Sequence, residues 1–366
     1  MRPCLSMTTS TEVNQALAVA KGKPTIKLGM DVHADQITIC RQLGGMLPQP
    51  AQKMSWAKAL KWIKEQTASA EKIYSCYEAG PCGYGLHRTL VTMGVENFVV
   101  APQRWDERGR HVKTDRRDAR ELVNRLERYV NGNRDAFSVV RVPSPEEEVR
   151  RRIARQRMTI LKERNRCVLR GRGLMLAQGV RAPSAWWHTT IWLSFRNTLP
   201  EWLREQVELW QQMATTYAKA LKKWDKKVTQ LSAGKALIKG FGALSDAIVN
   251  AEIADWHRFQ NKRQAGSFTG LCPSEASSGA QRKQGSINKH GNPRVRHLLV
   301  ESVWRLEKWQ PAYPPIRLLK AQAGSRARKR AAVAVARRLA IDLWRIATNR
   351  STAKQLGLKM TEPAKA

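Results

Sequence analysis

Negative charge is scarce in this sequence. Its 366 residues hold 30 Asp and Glu against 65 Lys and Arg, a formal net charge of +35. That balance makes a polyanion the expected partner, since each neutralised phosphate releases condensed counterions. Cysteine is sparse as well. Cys4, Cys40, Cys76, Cys82, Cys167 and Cys272 are scattered without a CxxC pair. This excludes a disulfide framework and a zinc ribbon, and it fits reduced thiols in a cytoplasmic protein. Cys76, Cys82 and His87 lie close together, but their spacing matches no familiar zinc pattern. No apolar run approaches the roughly 18 residues of a membrane span. The start, MRPCLSMTTSTEVNQALAVAKGK, lacks the apolar block of a signal peptide. There is no GxxxxGK[ST] loop, so nothing points to ATP-driven chemistry.

What is present falls into segments. Residues 1–24 are polar and read as a flexible tail. From 25 to 142, short β-type runs alternate with helical spacing, which predicts an α/β layer domain. TIKLGM (25–30) and QITICRQL (36–43) read as a hairpin, KIYSCY (72–77) and NFVVA (97–101) as further strands. WAKALKWIKEQ (56–66) and LHRTLVTMG (86–94) read as helices, the second ending at Gly94. Residues 143–232 form a helical segment. PSPEEEVRRR opens it with Pro and first-turn glutamates. Ala154, Met158, Leu161, Asn165 and Val168 then make a short heptad seam, with Asn165 placed to fix register in a coiled coil. Trp186, Trp187, Trp192, Trp202, Trp210 and Trp224 follow, and core packing is the expected role for most. From 233 to 350 the chain reads as a mainly α domain, and 351–366 as a tail. Gly240 and Gly242 in KGFG are placed as in a helix–hairpin–helix turn, whose amides approach a phosphate closely.

Asp31 and Glu78 each follow a strand, in KLGMDVHA and SCYEAGPCG. Asp115 and Asp118, in HVKTDRRDARELVNRL, are three apart and so share one helical face. Each alone fits a surface ion pair. Together, four carboxylates from three segments make the oxygen-only set that hard divalent cations need. Arg116, Arg117 and Arg120 beside them would keep the aspartates ionised and attract a nucleic-acid backbone.

D-x-H after the first strand, E-A-G after a later one and K-T-D-x-x-D-A before a helix resemble the DEDD insertion-sequence transposases. A second stretch, GFGALSDAIVNAEIADWHRF with GSFTGLCPSEASSGAQRKQGSINKHGNPRVRHLLVESVWR, is similar to their C-terminal domain. The resemblance spans roughly residues 25–350 and keeps the family's order. It implies a RuvC-like, RNase H-type domain, a coiled-coil segment and a C-terminal transposase domain. By that resemblance Asp31, Glu78, Asp115 and Asp118 match a metal-binding tetrad for Mg²⁺ or Mn²⁺, expected as two ions. Ser278, before Gly279, matches a serine nucleophile, with Ser277 and Ser274 close enough to compete for the assignment. Arg282, Lys283, Lys289, Arg294 and Arg296 follow and suit a phosphate. The resemblance further implies double-stranded DNA (element ends and target) and a guide noncoding RNA encoded by the element. It also implies a homo-oligomer, dimers assembling to a tetramer, working in the bacterial cytoplasm on the nucleoid.

Two other functions fit the same residues. One is a junction-resolving nuclease of the same fold that uses metal-activated water. The other is a non-catalytic nucleic-acid-binding architectural protein in which every carboxylate is structural.

Overall fold

The computed structural model describes residues 23–102, 114–276, 281 and 283–362. The expected N-terminal tail lies outside them up to residue 22. The chain divides between Val142 and Pro143 into two compact units.

In the first unit β1 (Thr25–Val32) and β2 (Gln36–Leu43) pair antiparallel with Gly29 opposite Cys40, as the hairpin reading expects. A short β3 (Gln52–Ser55) extends this hairpin. It was not legible in the sequence, because four residues with only Met54 buried show no period. α1 (Trp56–Ser69) leads to β4 (Lys72–Glu78), parallel to β1. α2 (Gly85–Thr92) leads to β5 (Glu96–Val100), parallel to β4. The mixed sheet has the order β3-β2-β1-β4-β5.

Strand parity sorts the two faces. Ile26, Leu28 and Met30 of β1 enter one core with Ile37, Ile39, Ile63 and Leu90. The alternate residues Lys27, Gly29 and Asp31 face α3 (Asp115–Val130), which runs antiparallel to the strand. Lys27 pairs with Glu127, and Gly29 lies under Ala119 and Val123. A Cβ on Gly29 would stand 2.3 Å from the Ala119 carbonyl oxygen and 2.4 Å from the Val123 amide nitrogen. Glycine is therefore what lets helix and strand meet backbone to backbone. Gly29→Ala is expected to cost about 3 kcal/mol, the upper end for overpacking. Thermal melting should show a drop in Tm of roughly 10 °C; an unchanged Tm would contradict this close approach.

The second unit starts with α4 (Pro145–Ala177), where Ser144 and Glu147 form a reciprocal capping box behind three first-turn glutamates. α4 packs antiparallel to α6 (Glu201–Thr229). Ala154 clusters with Val228, Arg157 Nε lies 2.7 Å from Asp225, and Met175 clusters with Leu203. The connection carries α5 (Thr189–Phe195) and the buried Trp186 and Trp192, whose rings meet edge to face at 6.0 Å. Trp202 is instead 51% exposed. Of the seam read from the sequence only Ala154 is fully buried, and Met158, Leu161 and Val168 are half-buried. Asn165 is exposed and accepts a hydrogen bond from Arg164 at 2.8 Å, while Ala154, Ile160, Cys167, Gly171 and Met175 are the residues buried on α4. Within one chain the apolar stripe is taken up by α6, so Asn165 sets no register there.

The remaining helices are α7 (Ala243–Ile253), α8 (Lys262–Ser267), α9 (Pro293–Trp309), α10 (Pro314–Lys320) and α11 (Ser325–Ala347). They enclose a core containing Val249, Val295, Leu299, Ile316, Leu339 and Trp344. A β6 (Pro273–Glu275) and β7 (Gln284–Ile287) hairpin stands among them. On α7, Ala247, Ile248, Val249, Ala251 and Ile253 are all buried, as in a central helix. The KGFG turn follows an isolated bridge between Ile238 and Met360. The expected helix–hairpin–helix thus lacks a helix leading directly into its turn. Residues after 350, read as a tail, are packed through Leu358, which is buried, and Gln310 donates to the Lys239 and Lys359 carbonyls at 2.8 Å each. Among the described residues no helix is long and apolar enough to cross a membrane.

Candidate functional site

β1 and β4 lie side by side in parallel, with Met30 opposite Tyr77. Asp31 and Glu78 are the next residues on the two strands. Parity puts both on the α3 face: Asp31 is two beyond Gly29, and Glu78 is two beyond Cys76, which is buried with Leu122 and Leu126 of α3. Burial pushes the Cys76 thiol well above its ordinary pKa, as does the Glu78 charge, so this cysteine is an inert core group.

The start of α3 completes the arrangement. Thr114 is its N-cap and accepts a hydrogen bond from the Arg117 amide at 3.4 Å. This sets Asp115 and Asp118 in the first turn, where the free amides and the helix dipole favour carboxylates. His33 Nε2 lies 3.1 Å from Asp31 Oδ2 and 3.6 Å from Asp115 Oδ1. One donor atom from each of Asp31, His33 and Asp115 falls within 4.8 Å of the other two. Lys53 Nζ, on β3, lies 3.5 Å from Asp115 Oδ2. Arg116, Arg117 and Arg120 are exposed on the same turns of α3.

Two of the four predicted carboxylates, Asp31 and Asp115, therefore meet. Glu78 and Asp118 are half-buried on the same strand ends and helix turn, and the group within 4.8 Å comprises Asp31, His33 and Asp115. The donor chemistry suits a hard divalent cation: carboxylate oxygens held on rigid elements, with the Asp31 and Asp115 side chains 24% and 37% exposed. His33 and Lys53 were given no role in the sequence reading. His33 was visible only as the third letter of D-x-H, and Lys53 sits on the strand that showed no period.

Of the second half of the predicted site, Ser274 lies on β6, Lys283 just before β7, and Arg294 and Arg296 on α9. Ser277, Ser278 and Arg282 lie outside the described residues. The Ala276 amide donates to the Lys283 carbonyl at 2.9 Å. Ser274 donates to the Ser286 carbonyl at 3.0 Å, a cross-strand bond that gives this serine a structural task. Lys283 and Lys289 are exposed. Arg296 donates through Nη1 to the Thr269 carbonyl at 3.0 Å and the Lys289 carbonyl at 3.3 Å, tying down the loop before α9. Arg294 Nε lies 3.9 Å from buried Glu252, which Arg155 grips with two bonds of 2.8 and 2.9 Å and Asn292 with one of 2.8 Å. Burial alone would raise the Glu252 carboxyl, but these hydrogen bonds and the charges of Arg155 and Arg294 bring it below its ordinary value. Gly240 and Gly242 have φ of +90° and +77°, and Arg305 Nε donates to the Gly240 carbonyl at 3.1 Å.

Residues 236–314 match the family model described as Transposase IS116/IS110/IS902 family. The chain is 32% identical over 299 residues to a putative transposase, y4rJ, of Sinorhizobium fredii, covering 73% of this chain and 75% of that one. It is also 32% identical over 262 residues to a second putative transposase of that organism, y4qE, covering 69% of this chain and 62% of that one. A transposase for insertion sequence element IS1111A from Coxiella burnetii is 25% identical over 356 residues, covering 89% of this chain and 90% of that one.

Proposed function

Since the chain belongs to the insertion-sequence transposases, we propose that it cuts and exchanges DNA strands through a carboxylate-held metal site and a serine nucleophile. The observation that carries this reading is the meeting of Asp31 and Asp115 at the end of β1 and the start of α3, beside the end of the strand that bears Glu78. The sheet supports an RNase H-type, RuvC-like domain: an antiparallel meander joined through its first strand to two parallel ones, with a carboxylate at the end of the first and fourth strands.

Asp31, Glu78, Asp115 and Asp118 would hold Mg²⁺ or Mn²⁺, two ions in our reading. Bound there, the metal supplies Lewis-acid polarisation of the scissile phosphate. Arg116, Arg117 and Arg120 hold the DNA backbone against the site. The Ser278 hydroxyl attacks phosphorus, and the bond from phosphorus to one deoxyribose oxygen breaks as the serine–phosphorus ester forms. The departing oxygen keeps its electron pair and takes a proton. The ester preserves the energy of the original linkage. A strand hydroxyl from the other duplex then attacks the same phosphorus, reforms a phosphodiester and frees Ser278. Lys283 and Lys289 are exposed for backbone contact near this hairpin, with Gly240 and Gly242 offering turn amides. A guide noncoding RNA selecting donor and target would add a second polyanion for the +35 charge to hold. Homo-oligomers would bring the carboxylate and serine halves of neighbouring subunits together.

The test is to incubate the full chain, its co-purifying RNA and Mg²⁺ with DNA spanning element ends and target, then denature and probe for protein-linked DNA. Joined products and a covalent adduct are expected. Cutting without an adduct would favour the junction-resolving nuclease, and neither cutting nor joining would favour the architectural protein.

A further inference from the structure

We infer that His33 is a nitrogen ligand of the divalent ion held by Asp31 and Asp115, and that it tilts the site toward Mn²⁺ over Mg²⁺. The inference rests on the reading of those two aspartates as metal-holding groups and adds a donor outside the four carboxylates.

The backbone of His33 is held on both sides. Its amide donates to the Gln36 carbonyl at 2.9 Å in the β1–β2 turn, and its carbonyl accepts from Trp56 Nε1 at 3.0 Å. The imidazole is therefore delivered by a tight turn and a helix start rather than by a free loop. Its Nε2 is the atom that faces both carboxylates, at 3.1 Å from Asp31 Oδ2 and 3.6 Å from Asp115 Oδ1. An octahedral ion with bonds near 2.1 Å sets adjacent donors about 3 Å apart and opposite donors about 4.2 Å apart. The three donor atoms, all within 4.8 Å of one another, fit around such an ion with little movement. Lys53 holds the other oxygen of Asp115 at 3.5 Å, which leaves Oδ1 as the atom turned toward His33.

A nitrogen donor has a chemical consequence. Mn²⁺ shares with Mg²⁺ a preference for oxygen donors, but as a transition metal it accepts an imidazole nitrogen more readily than Mg²⁺, which keeps an oxygen shell with several waters. Removing His33 should cost Mn²⁺ more than Mg²⁺.

The test uses the full chain loaded with Mn²⁺ and pulsed electron paramagnetic resonance, which detects nitrogen bonded to the ion. Wild type should show one imidazole nitrogen coupling that is absent in His33→Ala. In competition titrations the Mn²⁺ preference over Mg²⁺ should fall about tenfold in His33→Ala, the scale of a lost ligand-shell contact. His33 is half-exposed, so the variant should melt with wild type, which the same samples can verify. If Mn²⁺ binds wild type with no nitrogen coupling, and Asp31→Asn abolishes that binding, the histidine inference is overturned while the carboxylate reading stands. If neither Asp31→Asn nor Asp115→Asn alters Mn²⁺ binding, both are overturned.

Discussion

Asp115→Asn is expected to lower DNA strand cleavage at least a thousandfold, about 4 kcal/mol of lost transition-state stabilisation, while DNA binding stays within about twofold. The substitution keeps the size of the side chain and leaves the Thr114 cap in place, so the helix start should persist. What it removes is the charge that faces His33 and Lys53. Binding should survive because the phosphate backbone is held by many cations, and one fewer anion among them does not weaken that attraction. Asp31→Asn should behave alike. Single-turnover cleavage alongside filter binding separates the two effects. A near-normal cleavage rate in Asp115→Asn would reduce Asp115 to an ion-pair partner of Lys53 and remove the basis for a metal site.

The second large effect is on the covalent step. Ser278→Ala should eliminate protein-linked DNA and strand joining altogether, because no other atom in the mechanism can carry the phosphoryl group. Ser277→Ala and Ser274→Ala serve as controls at neighbouring positions in the chain. Ser274→Ala should lose only the cross-strand bond to Ser286, worth about 1 kcal/mol, and retain adduct formation. Denaturing gels with end-labelled DNA read all three. If the adduct persists in Ser278→Ala and vanishes in Ser277→Ala, the nucleophile is the neighbouring serine.

TIKLGM and QITICRQL, two short β-type runs with a brief connection, read as a hairpin, and β1 and β2 form it with both faces buried. In HVKTDRRDARELVNRL the spacing offered two aspartates on one helical face, and α3, beginning at Asp115, carries both in its first turn. What spacing could not show was the contact between these elements. Gly29 looks like any glycine in a strand until α3 is laid across it, and only that approach brings Asp115 to Asp31. His33 was hidden for a related reason: its approach to Asp115 depends on a helix more than 80 residues away. In the second unit, the heptad steps read over 154–168 gave only Ala154 of the fully buried residues of α4, and periodicity does not say which helix fills the groove. A long helix with a later partner in its own chain and one awaiting another subunit write nearly the same pattern. Arg294 and Arg296 show the limit from the charge side. Sequence offered them as phosphate contacts, and the fold gives Arg296 two carbonyls and sets Arg294 near a buried glutamate.

The most direct test of the carboxylate site is to let a metal mark its own location. Fe²⁺ exchanged into the full chain, then treated with ascorbate and peroxide, releases hydroxyl radicals that cut the polypeptide beside the ion. The expected fragments end near residues 31–33, 78 and 115–118, and they should disappear when excess Mg²⁺ competes or when Asp31→Asn is used. Fragmentation confined to other regions, or unaffected by Asp31→Asn, would show that these carboxylates hold no metal and would contradict the proposed chemistry at its root.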